Sequence, residues 1–270
     1  QVVESQDSST TEKLSGWQWD GLSWYYYLDD CRLTGMQNVD GSLFYLDPAR
    51  DGAMSCGWIF TDNKWYYASP SGALANGWQL IGGQWYWFDS LDGCSMVTGR
   101  RVIDGHPYLL GTYGLINGWC LDNGLWYWGS NGEVLTGWLQ TGNNWYWLDP
   151  ANDGAMSRGI VSVGSSRYYL SDSGAMAVGW AFDGTDWYYA DGSGALASGW
   201  RSVNGAWYWL DIANDNRMVT GFFSIGSNRY HFSSTGALSL GWFMSDGDWY
   251  YAEPSNASGI VKTGWLKDGS

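Results

Sequence analysis

Residues 179–198 read Gly179-Trp180-Ala-Phe-Asp-Gly-Thr-Asp-Trp187-Tyr188-Tyr189-Ala-Asp-Gly-Ser-Gly194-Ala-Leu-Ala-Ser198. Two short aromatic runs flank Asp183-Gly184, a dipeptide that supplies positive φ to a tight turn, so the stretch predicts a β-hairpin. Equivalent turn signals stand at Asp40-Gly41, Gly82-Gly83, Asp104-Gly105, Asn123-Gly124, Asn204-Gly205 and Asp246-Gly247. Gly194, with Gly72, Gly174 and Gly236, marks the turn that leads from one hairpin into the next.

The opening glycine recurs from end to end, at Gly16, Gly35, Gly57, Gly77, Gly99, Gly118, Gly137, Gly159, Gly179, Gly199, Gly221, Gly241 and Gly264. Steps of 19 to 23 residues define twelve whole units and a fragment that stops at Ser270. A lone two-stranded hairpin is marginal in water, so each unit needs neighbours to cover its aromatic face, and the arrangement that supplies them is an all-β solenoid over residues 16–270. Alternation along Trp145-Tyr146-Trp147 sends the two Trp rings to one face and the Tyr ring to the other. The sequence does not say which face packs inward.

A longer period overlies the short one. Gly57, Gly118, Gly179 and Gly241 are 61, 61 and 62 residues apart, so three hairpins form a higher unit. In its third hairpin Gly-Trp gives way to Gly99-Arg100, Gly159-Ile160 or Gly221-Phe222, and Trp-Tyr gives way to Pro107-Tyr108, Arg167-Tyr168 or Arg229-Tyr230. Gly35 opens a Trp-poor unit that breaks the phase.

Composition narrows the function. The 270 residues include 22 Trp, 19 Tyr and 39 Gly and carry a formal charge of −14, with 13 Lys and Arg scattered along the chain. No basic stripe exists to follow phosphates, which argues against nucleic acid and anionic membranes. No run of 18 apolar residues argues for membrane insertion. Residues 1–15, QVVESQDSSTTEKLS, are polar and read as a flexible linker or tail. Cys31 with Cys56 and Cys94 with Cys120 are similarly spaced, which fits disulfides between neighbouring repeats of a secreted protein, with buried free thiols as the alternative. No CxxC pair suggests zinc.

Two stretches carry a family resemblance: Gly137-Trp138-Leu-Gln-Thr-Gly-Asn-Asn-Trp145-Tyr146-Trp147-Leu-Asp-Pro-Ala-Asn-Asp-Gly154-Ala155-Met156, and Gly57-Trp58…Trp65-Tyr66-Tyr67…Ser71-Gly72-Ala73-Leu74. Both resemble the cell-wall-binding repeat of choline-binding proteins, a superfamily that also holds glucan-binding repeats and the receptor-binding repeats of clostridial toxins. The resemblance implies hairpins wound into a left-handed superhelix. It also implies choline on teichoic acid as the partner, held between hairpins by two Trp, a Tyr and often a Met or Leu, at the wall of a Gram-positive bacterium. The physical chemistry agrees, because a quaternary ammonium is best held by electron-rich ring faces and an acidic chain favours a cation. Wide Trp platforms also stack on sugars, so a glycan with Gln79, Gln84, Gln140, Asn143 and Asn144 as hydroxyl partners is the alternative, and a structural stalk is a third.

The candidate ligand contacts are Trp58, Trp65 and Tyr67; Trp78, Trp85 and Trp87; Trp119, Trp126 and Trp128; Trp138, Trp145, Trp147 and Met156; Trp180, Trp187 and Tyr189; Trp200, Trp207 and Trp209; and Trp242, Trp249 and Tyr251. Trp138, Trp145 and Trp147 with Met156 as a soft wall make one expected cage, while packing between hairpins is the competing role for every ring. The Asp pairs of Asp47-Pro-Ala-Arg-Asp51, Asp149-Pro-Ala-Asn-Asp153 and Asp211-Ile-Ala-Asn-Asp215 lack the remaining ligands of a calcium loop and suit turns. His106 and His231 stand apart from any nucleophile motif, and the four Glu form no pair across a cleft, so neither catalysis nor a cofactor is expected.

Overall fold

A computed structural model describes residues 12–255 and 258–264, so most of the expected tail and the fragment after Gly264 lie outside the described residues. Two described residues of that expected tail are tied down. The Leu14 N–H donates to the Asp30 carboxylate at 2.8 Å, and the Asp29 N–H donates to the Ser15 hydroxyl at 3.0 Å.

The chain is all-β, a succession of antiparallel hairpins grouped in two compact units that divide between Leu135 and Thr136. The first unit holds hairpin 1 (Gly16–Trp19 with Trp24–Leu28), hairpin 2 (Gly35–Val39 with Ser42–Asp47), hairpin 3 (Gly57–Thr61 with Lys64–Ala68), hairpin 4 (Gly77–Ile81 with Gln84–Asp89), hairpin 5 (Gly99–Ile103 with His106–Gly111) and hairpin 6 (Gly118–Asp122 with Leu125–Ser130). The second holds hairpin 7 (Gly137–Thr141 with Asn144–Asp149), hairpin 8 (Gly159–Val163 with Ser166–Leu170), hairpin 9 (Gly179–Phe182 with Trp187–Ala190), hairpin 10 (Gly199–Val203 with Ala206–Asp211), hairpin 11 (Gly221–Ile225 with Asn228–Phe232) and hairpin 12 (Gly241–Ser245 with Asp248–Ala252).

Local chemistry sets the turns. Both central residues have positive φ at Asp40-Gly41, Gly82-Gly83, Asp104-Gly105, Asn123-Gly124, Asn204-Gly205 and Asp246-Gly247, as a two-residue type I′ turn requires. Gly142, Gly164 and Gly226 take positive φ at the first central position alone, the type II′ form. Asp183-Gly184 departs from the expected tight turn: only Gly184 has positive φ, and Asp183–Asp186 form a four-residue loop. There the Asp183 carboxylate accepts the N–H groups of Thr185 and Asp186 at 2.9 and 2.8 Å. The side chain replaces the backbone bond of a tighter turn.

After each hairpin the chain returns along the second strand, either as a two-residue strand such as Ala155–Met156 or as a single bridge such as Ala190↔Leu196. The return segment also reaches the preceding hairpin. N–H groups of Met176, Leu196, Leu238 and Val261 donate to carbonyls of Trp145, Arg167, Trp207 and Arg229 at 2.7 to 2.8 Å. In the first unit Leu74 donates to the Leu43 carbonyl at 2.7 Å in the same way. Every hairpin edge reached in this way is protected from unwanted pairing.

The deepest core is built from Leu and Phe. Leu46, Phe88, Leu110, Leu148, Leu170, Leu210 and Phe232 are essentially inaccessible, and each lies across from the opening glycine of its own hairpin. The opening glycines themselves serve conformation: a Cβ on Gly179 would meet nothing within 4 Å, but its φ is +81°. Gly194 serves both conformation and space, with φ +84° and a would-be Cβ only 2.3 Å from Met176 Sδ.

All four cysteines are free thiols, contrary to the disulfide expectation. Cys94 is packed with Ile59, Tyr66, Ala68 and Leu74, and Cys120 faces inward across from Tyr127 in hairpin 6. Burial raises the pKa of both thiols, which lowers their thiolate fraction. Cys56 is exposed and directs its thiol at the Pro70 carbonyl, 3.7 Å away, and Cys31 is exposed in a short return strand.

A Gly236→Ala substitution places a Cβ 2.2 Å from Met218 Sδ at φ +78°, whereas Gly205→Ala, at φ +81°, meets nothing within 4 Å. Both carry the conformational cost of about 1 kcal/mol, and Gly236→Ala carries a further overpacking cost of about 1–3 kcal/mol. Urea denaturation should therefore rank the variants wild type, Gly205→Ala, Gly236→Ala in falling stability.

Candidate functional site

The Trp-bearing hairpins have a Trp face and a Tyr face, and within each compact unit the stacking sets the Trp of one hairpin against the Tyr of the next. Trp138 of hairpin 7 meets Tyr168 of hairpin 8 at 4.7 Å, and Trp180 of hairpin 9 meets Tyr208 of hairpin 10 at 4.7 Å, both edge-to-face. Trp58–Tyr86, Trp78–Tyr108 and Trp200–Tyr230 repeat the contact at 4.9, 5.0 and 5.1 Å. Ring quadrupoles favour this geometry, at about 0.5–1.5 kcal/mol per pair beyond burial.

A second Trp completes the open side. Trp145 stands 6.4 Å from Trp138 at 85°, and Trp187 stands 6.4 Å from Trp180 at 83°, so two indole faces meet at nearly a right angle. The space between them is a pocket of about 400 Å³ at Trp180, Trp187, Tyr208 and Met218, with Ser234 and Thr235 on its rim. Its counterpart of about 390 Å³ is lined by Trp138, Trp145, Tyr168, Met176 and Val178, with Gly192 and Ser193 beside them. Both are open on one side and lined mainly by carbon, with the polar atoms at the mouth.

The sequence-based candidates fall into two groups. The first Trp of each strand (Trp58 and Trp65, Trp78 and Trp85, Trp119 and Trp126, Trp138 and Trp145, Trp180 and Trp187, Trp200 and Trp207) forms the near-perpendicular pair at 6.1 to 6.5 Å. Tyr67, Trp87, Trp128, Trp147, Tyr189, Trp209 and Tyr251 stand behind the first-strand Trp at 5.1 to 5.4 Å. The two pockets take none of this second group into their lining. Met156 is likewise absent from the Trp138 pocket, where the thioether wall is Met176. The reason is the one-hairpin offset of the stack: the soft wall comes from the return segment after the neighbouring hairpin, while Met156 packs over Gly174. Trp242 and Trp249 are 58 % and 66 % exposed, with no tyrosine of a following hairpin against them among the described residues.

Several residues were not singled out from sequence. Trp17 and Trp24 occupy the cage positions of hairpin 1, and Phe44 closes on Trp17 at 4.8 Å. The tyrosines Tyr86, Tyr108, Tyr168, Tyr208 and Tyr230 were also passed over. Their signal was present in Pro107-Tyr108, Arg167-Tyr168 and Arg229-Tyr230, where Tyr persists after Trp is lost because it serves the hairpin before it.

Trp-poor hairpins fill the space with their own side chains. Met36 and Leu43 pack against the Tyr66 cluster, and Ile160 packs against Tyr188. The Arg229 guanidinium lies 4.1 Å from the Phe222 ring centroid, and that of Arg100 lies 5.6 Å from the Tyr127 ring centroid. The seam has thus placed a cation of its own over an aromatic face. Asp47, Asp149 and Asp211 cap short 3-10 turns by accepting the N–H of Ala49, Ala151 and Ala213, so the Asp pairs serve the turns that carry them.

A stack of hairpins with open cages of two Trp, a Tyr and a Met defines a class of aromatic-cage repeat modules. Seven segments, residues 57–74, 76–90, 136–156, 178–196, 198–211, 220–238 and 241–255, match the cell wall binding repeat of choline-binding proteins. The chain belongs to this family of choline-binding, cell-wall-binding repeat proteins. Choline binding protein F of Streptococcus pneumoniae is similar in structure, with a TM-score of 0.71 and 25% identity over 93% of this chain and 100% of that one. The same protein in the presence of a tetrasaccharide-pentapeptide peptidoglycan analogue superposes with a TM-score of 0.70 at the same identity and coverage. CbpJ of the same species is 30% identical over 94% of this chain and 97% of that one, with a TM-score of 0.46. No curated protein sequence gives a significant match.

His231 supplies a stability test for the seam. Its ring stacks on Phe243 at 4.3 Å, and its Nδ1 shares a hydrogen bond of 2.8 Å with Ser239 Oγ. Burial holds the imidazole below its usual pKa, against the weaker opposite pull of Asp246. The folded state keeps the ring neutral while the unfolded chain takes up a proton below about pH 6.5, so the stabilisation is present above that pH and lost as pH falls. The urea midpoint should be lower near pH 5.5 than near pH 7.5, and His231→Phe should flatten that difference.

Proposed function

We propose that this chain is a non-catalytic module that anchors a secreted protein to a Gram-positive cell wall by binding the choline groups of teichoic acid in its aromatic cages. The observation that carries the reading is the repeated cage itself, built alike at Trp180, Trp187, Tyr208 and Met218 and at Trp138, Trp145, Tyr168 and Met176. A trimethylammonium group has no N–H to donate, so hydroxyl or carbonyl partners gain nothing from it. Two indole faces at nearly a right angle contact its methyl groups on two sides, and each desolvated cation–π contact is worth about 2 kcal/mol. The Met thioether adds a polarizable wall that adapts to the methyls.

Charge favours the same ligand. The net −14 draws cations toward the surface, and Arg229 over Phe222 is an internal example of a cation seated on these rings. Several weak sites on one chain then act together on a polymer that bears many choline groups, which raises avidity by about 10² to 10⁴ over a single site. Repetition of the same residues suits a repeated binding task better than the singular geometry of a catalytic centre.

The test is a titration of intrinsic Trp fluorescence with choline chloride, tetramethylammonium as the analogue and sodium chloride as the ionic control. Both ammonium ions should give a saturable change and sodium chloride none. Trp187→Ala should reduce the amplitude and shorten retention on immobilised choline, with the fold intact by circular dichroism. A response to dextran with none to choline would replace the choline reading by a glucan one. Silence to both would leave a structural stalk.

A further inference from the structure

On the second unit, away from the aromatic cages, a cleft of about 530 Å³ lies between the tip of hairpin 8, the return segment after hairpin 9 and the long turn after hairpin 10. From its geometry we infer that this cleft is a second binding site, for an uncharged saccharide. The volume falls within the range of about 300 to 1,000 Å³ occupied by small-ligand sites.

The lining is made for hydroxyl groups. Ser162, Ser165 and Ser166 come from the hairpin tip and Ser198 from the return segment, and the hydroxyls of these four serines are not engaged by another group among the described residues. Each offers one donor and two acceptor positions, the same dual capacity as a sugar hydroxyl. Room is made by Gly164 in its type II′ turn, where φ is +62°, and by Ala213 on the facing wall.

One end of the cleft is closed by ions in balance. Both partners of one ion pair line it, Arg167 with Asp215 at 2.8 Å, and Arg217, outside the lining, lies 3.6 Å from the same Asp215. One guanidinium faces one carboxylate, so the end wall has strong directional donors and acceptors without net charge. An anion or a cation gains little from such a wall, while a neutral polyol can bridge a guanidinium and a carboxylate at once.

The apolar part of the lining fits the same ligand. Ile212 is 68 % exposed at the position where the sister turns carry Pro48 and Pro150. It stands with Ala213 as a flat aliphatic wall beside the serines. A pyranose presents C–H groups on one face and hydroxyls around its edge, and this wall and rim match that division. Arg167 also explains why hairpin 8 has no cage: the chain uses it at Asp215, where its sister Arg229 covers a ring instead.

The inference stands apart from the choline reading and is tested on the whole chain with cellobiose, isomaltose and N,N′-diacetylchitobiose as probes, by saturation-transfer NMR and calorimetry. At least one disaccharide should bind saturably. Ser165→Trp, at an exposed turn, should occlude the cleft, and Asp215→Ala should unlock its end wall. Each should weaken that binding by about tenfold or more, a loss of roughly 1.4 kcal/mol. Circular dichroism serves as the folding control and should be unaltered in both. No binding by any of the three disaccharides would overturn the inference. So would binding that survives both substitutions, or binding abolished by Trp187→Ala, which would place the sugar in an aromatic cage.

Discussion

The Trp-bearing hairpins depend on one contact, the tyrosine of a hairpin set edge-on against the tryptophan of the hairpin before it. A two-stranded ribbon of about a dozen residues has no interior, so its stability must come from what it leans on. The contact at 4.7 to 5.1 Å supplies that support and leaves one face of each first-strand indole free to turn toward the second Trp. The packing that holds the repeat together therefore also shapes the cage. Removing the tyrosine would cost a hairpin its neighbour and a site its back wall in the same step.

Glycine and methionine complete the arrangement. The return segment must pass close over the next turn to bring its thioether to the cage, and only a residue without Cβ leaves that path open, as at Gly194 and Gly236. The sequence marked these glycines as turns, which they are, but their second duty concerns a methionine about 18 residues earlier in the chain. Where the Trp pair is absent, Arg, Ile, Met or Leu fills the volume, so the seam stays packed while the cage is lost. Support and recognition are separable functions of one aromatic layer.

Much of this could be read in advance. Twelve hairpins, their opening glycines and most of their turns follow from spacing and from the few residues that tolerate positive φ. The Trp pairs at Trp138 and Trp145 or Trp180 and Trp187 were also visible, because both members recur together and vanish together. Trp147 and Met156 were grouped with that cage for proximity in sequence, and the structure separates them from it. Trp17 and Trp24 are harder to read because the Trp-poor hairpin 2 breaks the phase beside them. Cysteine spacing suggested disulfides, yet Cys94 and Cys120 have each settled into the packing of local hairpins as free thiols.

The sequence by itself determined the repeat, the hairpin and the chemical character of its two faces, since these depend on alternation and turn residues within about 20 positions. Only the tertiary structure decided which hairpin supplies each wall of a cage. The stack offsets every unit by one, so a site takes two Trp from one hairpin, a Tyr from the next and a Met from the segment beyond. Residues about 40 positions apart meet there because the packing of one hairpin on the next, helped at Met176 by a backbone bond to the Trp145 carbonyl, fixes the neighbour's position, and no local pattern encodes that distance.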